Sequence, residues 1–220
     1  MSFSTIMSLV WPATLQTLAM VFASTVFSLV LGLPLGILLC VTDPVTGITP
    51  RPVLHQVLTR IVNALRSFPF MILMILLFPL SRFIIGTSIG TAATIVPLSI
   101  AAAPFVARII ETALKEVDPG VVQAARAMGS TNVQVVMKVL LPEALPSLVS
   151  GVTLTIINLI GYSAMSGAIG GGGPGDLAIR YGYQRNQPMV MIPAVIIILI
   201  MVEAIQLVGS RISASLMARR

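Results

Sequence analysis

From Ala13 to Val41 the chain carries no Lys, Arg, Asp or Glu. About 20 mostly apolar residues in a helix cross the hydrocarbon core of a bilayer. This run exceeds that length, so it is expected to span and to tilt or project. The rest of the chain agrees: 56% of residues are hydrophobic, 9% are charged and the mean hydropathy is +1.02. Those values exclude a soluble globule. The expected fold is an all-α integral membrane protein.

The same window test gives five spans in one membrane domain, about 13–41, 61–79, 89–114, 148–169 and 190–208. The second is entered through Arg66-Ser67-Phe68-Pro69, and Pro97 and Pro104 should bend the third. Gly32 and Gly36 flank Pro34, which suggests a close helix contact with a bend in the first. No Lys or Arg precedes Arg51 and no small-residue cleavage site follows a short apolar core, so the first run is expected to stay as a span. Five spans put the termini on opposite sides. With the C-terminus cytoplasmic, ten of the thirteen Lys and Arg fall inside, among them Arg219 and Arg220, and only Arg82, Arg180 and Arg185 fall outside. The positive-inside bias then leaves the N-terminus outside. These charges are scattered between spans and not clustered with aromatics, so the net charge of +6 orients the chain and does not point to nucleic acid.

Little here supports covalent chemistry. One cysteine, Cys40, permits neither an intrachain disulfide nor a zinc cluster, and one histidine, His55, closes most metal and His-based schemes. No phosphate-binding loop, H-E-x-x-H or C-x-x-C is present. The run Gly170 to Gly175, interrupted by Pro174, lacks a following Lys-Ser/Thr and reads as a flexible or tightly turned cap on span four. No metal, cofactor or catalytic residue is expected.

The remaining signal is Val121 to Pro142, too polar for a bilayer and too ordered for a linker, within the loop 115–146 between spans three and four. Asp118 suits an N-cap and Pro119 the first helical position. Gly129 offers the left-handed residue that closes a helix, and Thr131 with Gln134 has the spacing of a capping box. A second helix should then run toward Leu141, where Pro142 discourages it. Ala124, Ala125 and Ala127 keep the first helix slim enough to dock in a groove on another protein, while Val133, Val136, Val139 and Leu140 equally suit a helix lying on the membrane.

Gln123-Ala124-Ala125, three residues, Gly129, nine residues and Val139-Leu140-Leu141-Pro142 resemble the EAA loop of ABC importer permeases. Gln123 stands for the usual Glu and Val139 for Ile. The segments Arg66 to Phe70, Gly86 to Gly90, Ala103 to Arg108 and Gly161 to Met165 extend the resemblance to the permease subunit of bacterial methionine importers, a five-span branch of the type I importers. Pro174 departs from it where a Leu is expected. The resemblance implies a homodimeric pore moving D- or L-methionine across the bacterial inner membrane. It also implies two ATPase subunits docked at the coupling residues Gln123, Ala124, Ala125, Ala127, Gly129, Leu141 and Pro142, and an extracytoplasmic lipoprotein that delivers the cargo. ATP hydrolysis would then lie on the separate subunit, and this chain would be no enzyme.

Tyr162, Ser163 and Met165, beside Gly161 and Gly167, suit either a pathway or gate or ordinary interhelical packing. Twelve methionines are weak evidence for a methionine cargo, since thioethers fill apolar gaps anyway. Two other functions fit the same residues. The cargo could be another small amino acid or a methionine derivative. Alternatively, Glu203, an acid inside an apolar span, could be the proton site of a secondary carrier, or hold a structural place near the cytoplasmic end of that span.

Overall fold

The computed structural model describes residues 3–218; Arg219 and Arg220 lie outside them. Every regular element among the described residues is helical. Four continuous helices are long and apolar enough to cross a membrane: α1 (Phe3–Thr42), α5 (Thr91–Lys115), the rod Asn132–Ile169 and α10 (Pro188–Met217). A bent pair, α2 (Pro52–Ser67) and α3 (Phe70–Leu76), brings the number to five when counted as one span. Shorter helices fill the connections: α4 (Phe78–Ile85), α6 (Pro119–Ala127) and α9 (Gly173–Leu177). Within the long rod, α7 (Asn132–Val135) passes through a wide π turn at Val136–Leu140 into α8 (Leu141–Ser166).

The tightest pairing joins α1 to α5. Small residues make it possible: a Cβ on Gly32 would lie 2.6 Å from Val106 Cγ1, and one on Gly36 would lie 2.6 Å from the Ala107 carbonyl oxygen. Helices without side chains at such points approach backbone to backbone, which replaces the hydrophobic drive that lipid cannot supply. Buried apolar clusters then stack along the bundle: Leu114, Ala125, Val135 and Leu140 at one end, Met20, Met74, Leu98 and Leu159 in the middle, Val10, Leu177 and Val190 at the other.

Two expectations need correction. Ile61 to Pro79 do not form one helix; the chain turns by 99° between α2 and α3. Pro69 removes a donor and drives Phe68 into extended backbone (φ −71°, ψ 128°), so α2 stops at Ser67. Nor does Pro142 end a helix. The preceding π turn lets the Leu141 amide reach back to the Val136 carbonyl, and the rod continues through the bond that Pro142 cannot donate.

Candidate functional site

At the end of the bundle where α1 and α5 emerge, an ionic chain ties four segments together. On α5, Arg108, Glu111 and Lys115 fall on one helical face. Glu111 is buried and accepts from Arg108 at 2.6 Å and from Lys115 at 2.7 Å. Lys115 also donates to Asp43 at 2.7 Å, just past the end of α1, and Arg108 reaches Asn63 on α2 at 3.0 Å. Asp43 organises its own loop by accepting from the amides of Val45 and Thr46, both at 2.8 Å. His55 approaches Asp43 at 3.8 Å and the Leu39 carbonyl at 3.1 Å. Burial pushes the Asp43 carboxyl up, but the Lys115 ammonium and the two amides outweigh it and hold the group well below the usual carboxylate range. Asp43, His55 and Glu111 bring ligand atoms within 4.8 Å of one another, yet the Lys115 ammonium, 2.7 Å from both carboxylates, fills the place of a cation.

On this frame rests α6. Asp118 caps it by accepting from the Gly120 amide at 2.7 Å. Gly129, at φ +83°, turns the chain so that the Ser130 amide reaches the Ala125 carbonyl at 3.1 Å. Both halves of the Thr131–Gln134 capping box are formed. Ala125 is buried against Ile48, Val135 and Leu140 and anchors the helix to its own chain. Arg126 donates to the Ile48 carbonyl, and Asn132 donates to Thr49 at 3.2 Å, so the loop after α1 is clamped between α5 and the turn after α6. Gln123, Ala124, Ala127 and Met128 face outward. Leu141 is half-buried and Pro142 exposed at the root of α8.

Beside this frame a cavity of about 670 Å³ opens between α2, α5, α8 and the end of α10. Arg66, Arg108, Glu116, Ser147 and Ser150 supply its polar wall, and Arg66 lies 6.0 Å above the Phe105 ring. Of the three residues singled out in span four, only Met165 is exposed. Tyr162 is half-buried and stacks on Phe70, with ring centroids 4.3 Å apart. Ser163 is buried and donates to the Ile160 carbonyl at 2.8 Å.

A family model described as the binding-protein-dependent transport system inner membrane component matches residues 32–219. The chain belongs to this family. Among relatives, a probable D-methionine transport system permease protein of Vibrio cholerae is 46% identical over 95% of this chain and 96% of its own length. The D-methionine transport system permease protein of Escherichia coli is 53% identical over 69% of this chain and 70% of its own. A chain in the structure of the MetNI methionine ABC transporter in inward-facing conformations superposes with a TM-score of 0.95 at 47% identity, covering 98% of this chain and 99% of that one.

In this inner membrane component the ionic frame escaped sequence reasoning. One signal was available: Arg108, Glu111 and Lys115, at i, i+3 and i+7, would share a face of any helix through them. Their partner Asp43 lies 72 residues from Lys115, and spacing alone does not reveal it.

Proposed function

We propose that the chain is the permease subunit of an ATP-driven methionine importer. Two copies form the pore in the bacterial inner membrane, with the N-terminus outside and α6 and the C-terminus in the cytoplasm. The near full-length likeness to D-methionine permeases supports the cargo, and ten of thirteen cationic side chains on one side support the orientation. One observation carries the coupling role. The outer face of α6, bearing Gln123, Ala124, Ala127 and Met128, is exposed among the described residues, while Ala125 and Arg126 fix the opposite face. Such a slim helix, rigidly rooted and bare outward, suits a groove on an ATPase.

Movement of the ATPase then enters at α6. Through Gly129, Leu141 and Pro142 it reaches the rod containing α8, and through Arg126 and the Asp43–Lys115 pair it reaches α1 and α5. The two protomers rock about their shared axis as the α6 helices are drawn together and apart. Tyr162 and Met165 lie beside the pathway in this arrangement, with Ser163 packed behind them. The chain positions and transmits; ATP is hydrolysed on the partner, and an extracytoplasmic lipoprotein presents the methionine.

The test is reconstitution with the ATPase and delivery protein from the same source. Stoichiometric co-purification and ATP-dependent methionine uptake are expected. Uptake driven by a pH gradient without the ATPase, and lost in Glu203→Gln, would instead establish a proton-coupled carrier.

A further inference from the structure

Glu203 stands midway along α10, inside a helix apolar enough to cross a membrane. The helix continues to Met217, about four turns beyond Glu203, so this carboxylate lies farther from the helix end than its sequence surroundings suggest. It is exposed and pairs with no other described residue. An intramembrane carboxylate facing lipid is costly, so the surface around it matters.

Leu199, Ile200 and Leu207 beside it are exposed and apolar, but a row of polar side chains leads from Glu203 toward the large cavity. Met217 lines the cavity, and Ser210, Gln206 and Glu203 lie within about 40° of its direction around α10, at 100° per residue. Gly151 and Leu154 line the same cavity on α8, and Asn158 continues their stripe. The two helices run antiparallel, with Gly209 packed on Thr153 and Ser213 hydrogen-bonded to Ser150 at 2.9 Å. Counting about 1.5 Å per residue from the Gly209–Thr153 contact puts Glu203 about 9 Å and Asn158 about 7.5 Å along the same direction. A carboxylate and a carboxamide therefore sit at one depth, on one side of the helix pair, above an open cavity with one polar wall. The other side, lined by Val152, Ile156, Val208 and Ile212, is apolar.

We propose that Asn158, Gln206 and Glu203 line the inner reach of a water-filled lane between the two protomers, and that Glu203 is the site in it for the ammonium group of the amino-acid cargo. A zwitterion leaving water loses hydration at both charged ends, and a fixed carboxylate offsets the loss at one. Gln206 and Asn158 supply uncharged donors and acceptors beside it. This inference rests on the chain being half of an amino-acid pore.

The test uses the whole transporter with its ATPase, in vesicles that expose the α6 side, with the buried Cys40 replaced by alanine. Single cysteines are placed at Asn158, Gln206, Ser150 in the cavity wall, and Val208 on the apolar side. Trimethylammonium-ethyl methanethiosulfonate should modify Asn158→Cys and Gln206→Cys at least ~10-fold faster than Val208→Cys. At Asn158→Cys its advantage over the anionic sulfonatoethyl reagent, divided by the same ratio for a free small thiol, should be about 10-fold, the lower end of what a local field does to on-rates. Glu203→Gln should bring that normalised ratio close to one. Methionine, and not N-acetylmethionine, should protect Asn158→Cys, and Glu203→Gln should abolish that protection. Reaction at Ser150→Cys but not at Asn158→Cys or Gln206→Cys overturns the lane and leaves the pore reading intact. Labelling with no charge preference, or equal protection by both compounds, overturns the ammonium site. Absence of ATP-driven methionine uptake by the transporter carrying only Cys40→Ala would instead remove the pore reading itself.

Discussion

At the α6 end the helices are joined by charged side chains: Asp43, Glu111, Arg108 and Lys115 connect α1, α2 and α5 through contacts of 2.6–3.0 Å. At the glycine-rich end they meet mainly through backbone, with Gln16 of α1 accepting from the Gly173 amide at 3.0 Å. A Cβ on Gly167 would lie 2.5 Å from the Gly175 carbonyl carbon, and the Gly90 amide donates to the Gly170 carbonyl at 3.1 Å. Pro174 fits this end because it occupies the first turn of α9, where an amide has no helical partner. Charged pairs re-form over a range of geometries, whereas backbone contact permits one. On the proposed function, the first arrangement suits the end where ATPase movement would enter, and the second suits a segment that moves as one piece with α8.

This contrast can be broken from either side. The largest effect is expected for Gly167→Ala, whose methyl meets immovable backbone of α9: about 3 kcal/mol of stability lost. A thermal unfolding series in detergent checks it, and a near-neutral result would mean that the glycine end gives way. Next comes Glu111→Gln, which takes the buried carboxylate from Arg108 and Lys115 and leaves them Asn63 and Asp43. Breaking a buried pair costs about 3–5 kcal/mol, but Arg108 and Lys115 are partly exposed, so about 2 kcal/mol is expected. Ala125→Leu should cost about 1.5 kcal/mol by overpacking while lifting α6 from Ile48 and Leu140. Its sharper readout is loss of ATPase co-purification from protein that still inserts in the membrane. Normal assembly of that variant would remove α6 as the coupling element.

What the sequence made legible divides along the same line. Asp118, Gly129 and the Thr131–Gln134 box act within a few residues, so their geometry followed from spacing. Gly32 and Gly36 announced a close approach without naming the partner, which is α5. Pro142 misled because its local effect is cancelled by the wide turn before it, a feature that residue type does not mark. Hydropathy averaged across Ser67 to Pro69 and concealed a corner. The clustering of Asn158, Glu203 and Gln206 needed the antiparallel register of α8 and α10, which only the contacts at Thr153 and Ser213 fix.

The smallest effect tests whether the charged end depends on pH where the protein works. Asp43 is held below the usual carboxylate range, so its folded value lies under its unfolded one, near 3.9. A group shifted downward stabilises the fold fully above the unfolded value, and that contribution disappears as pH falls through the lower folded value. Asp43→Asn should therefore cost about 1 kcal/mol, since Lys115 is one-third exposed, and the cost should be the same at pH 8 and pH 5.5. His55 stands 3.8 Å from the same carboxylate, so the comparison is made in a His55→Gln background that removes this neighbour. Hydrogen exchange of the Val45 and Thr46 amides, which Asp43 accepts, reports the clamp directly. A cost that vanishes between pH 8 and pH 5.5 would mean that Asp43 loses its charge there. The ionic end would then be a pH-sensitive joint and not a permanent one.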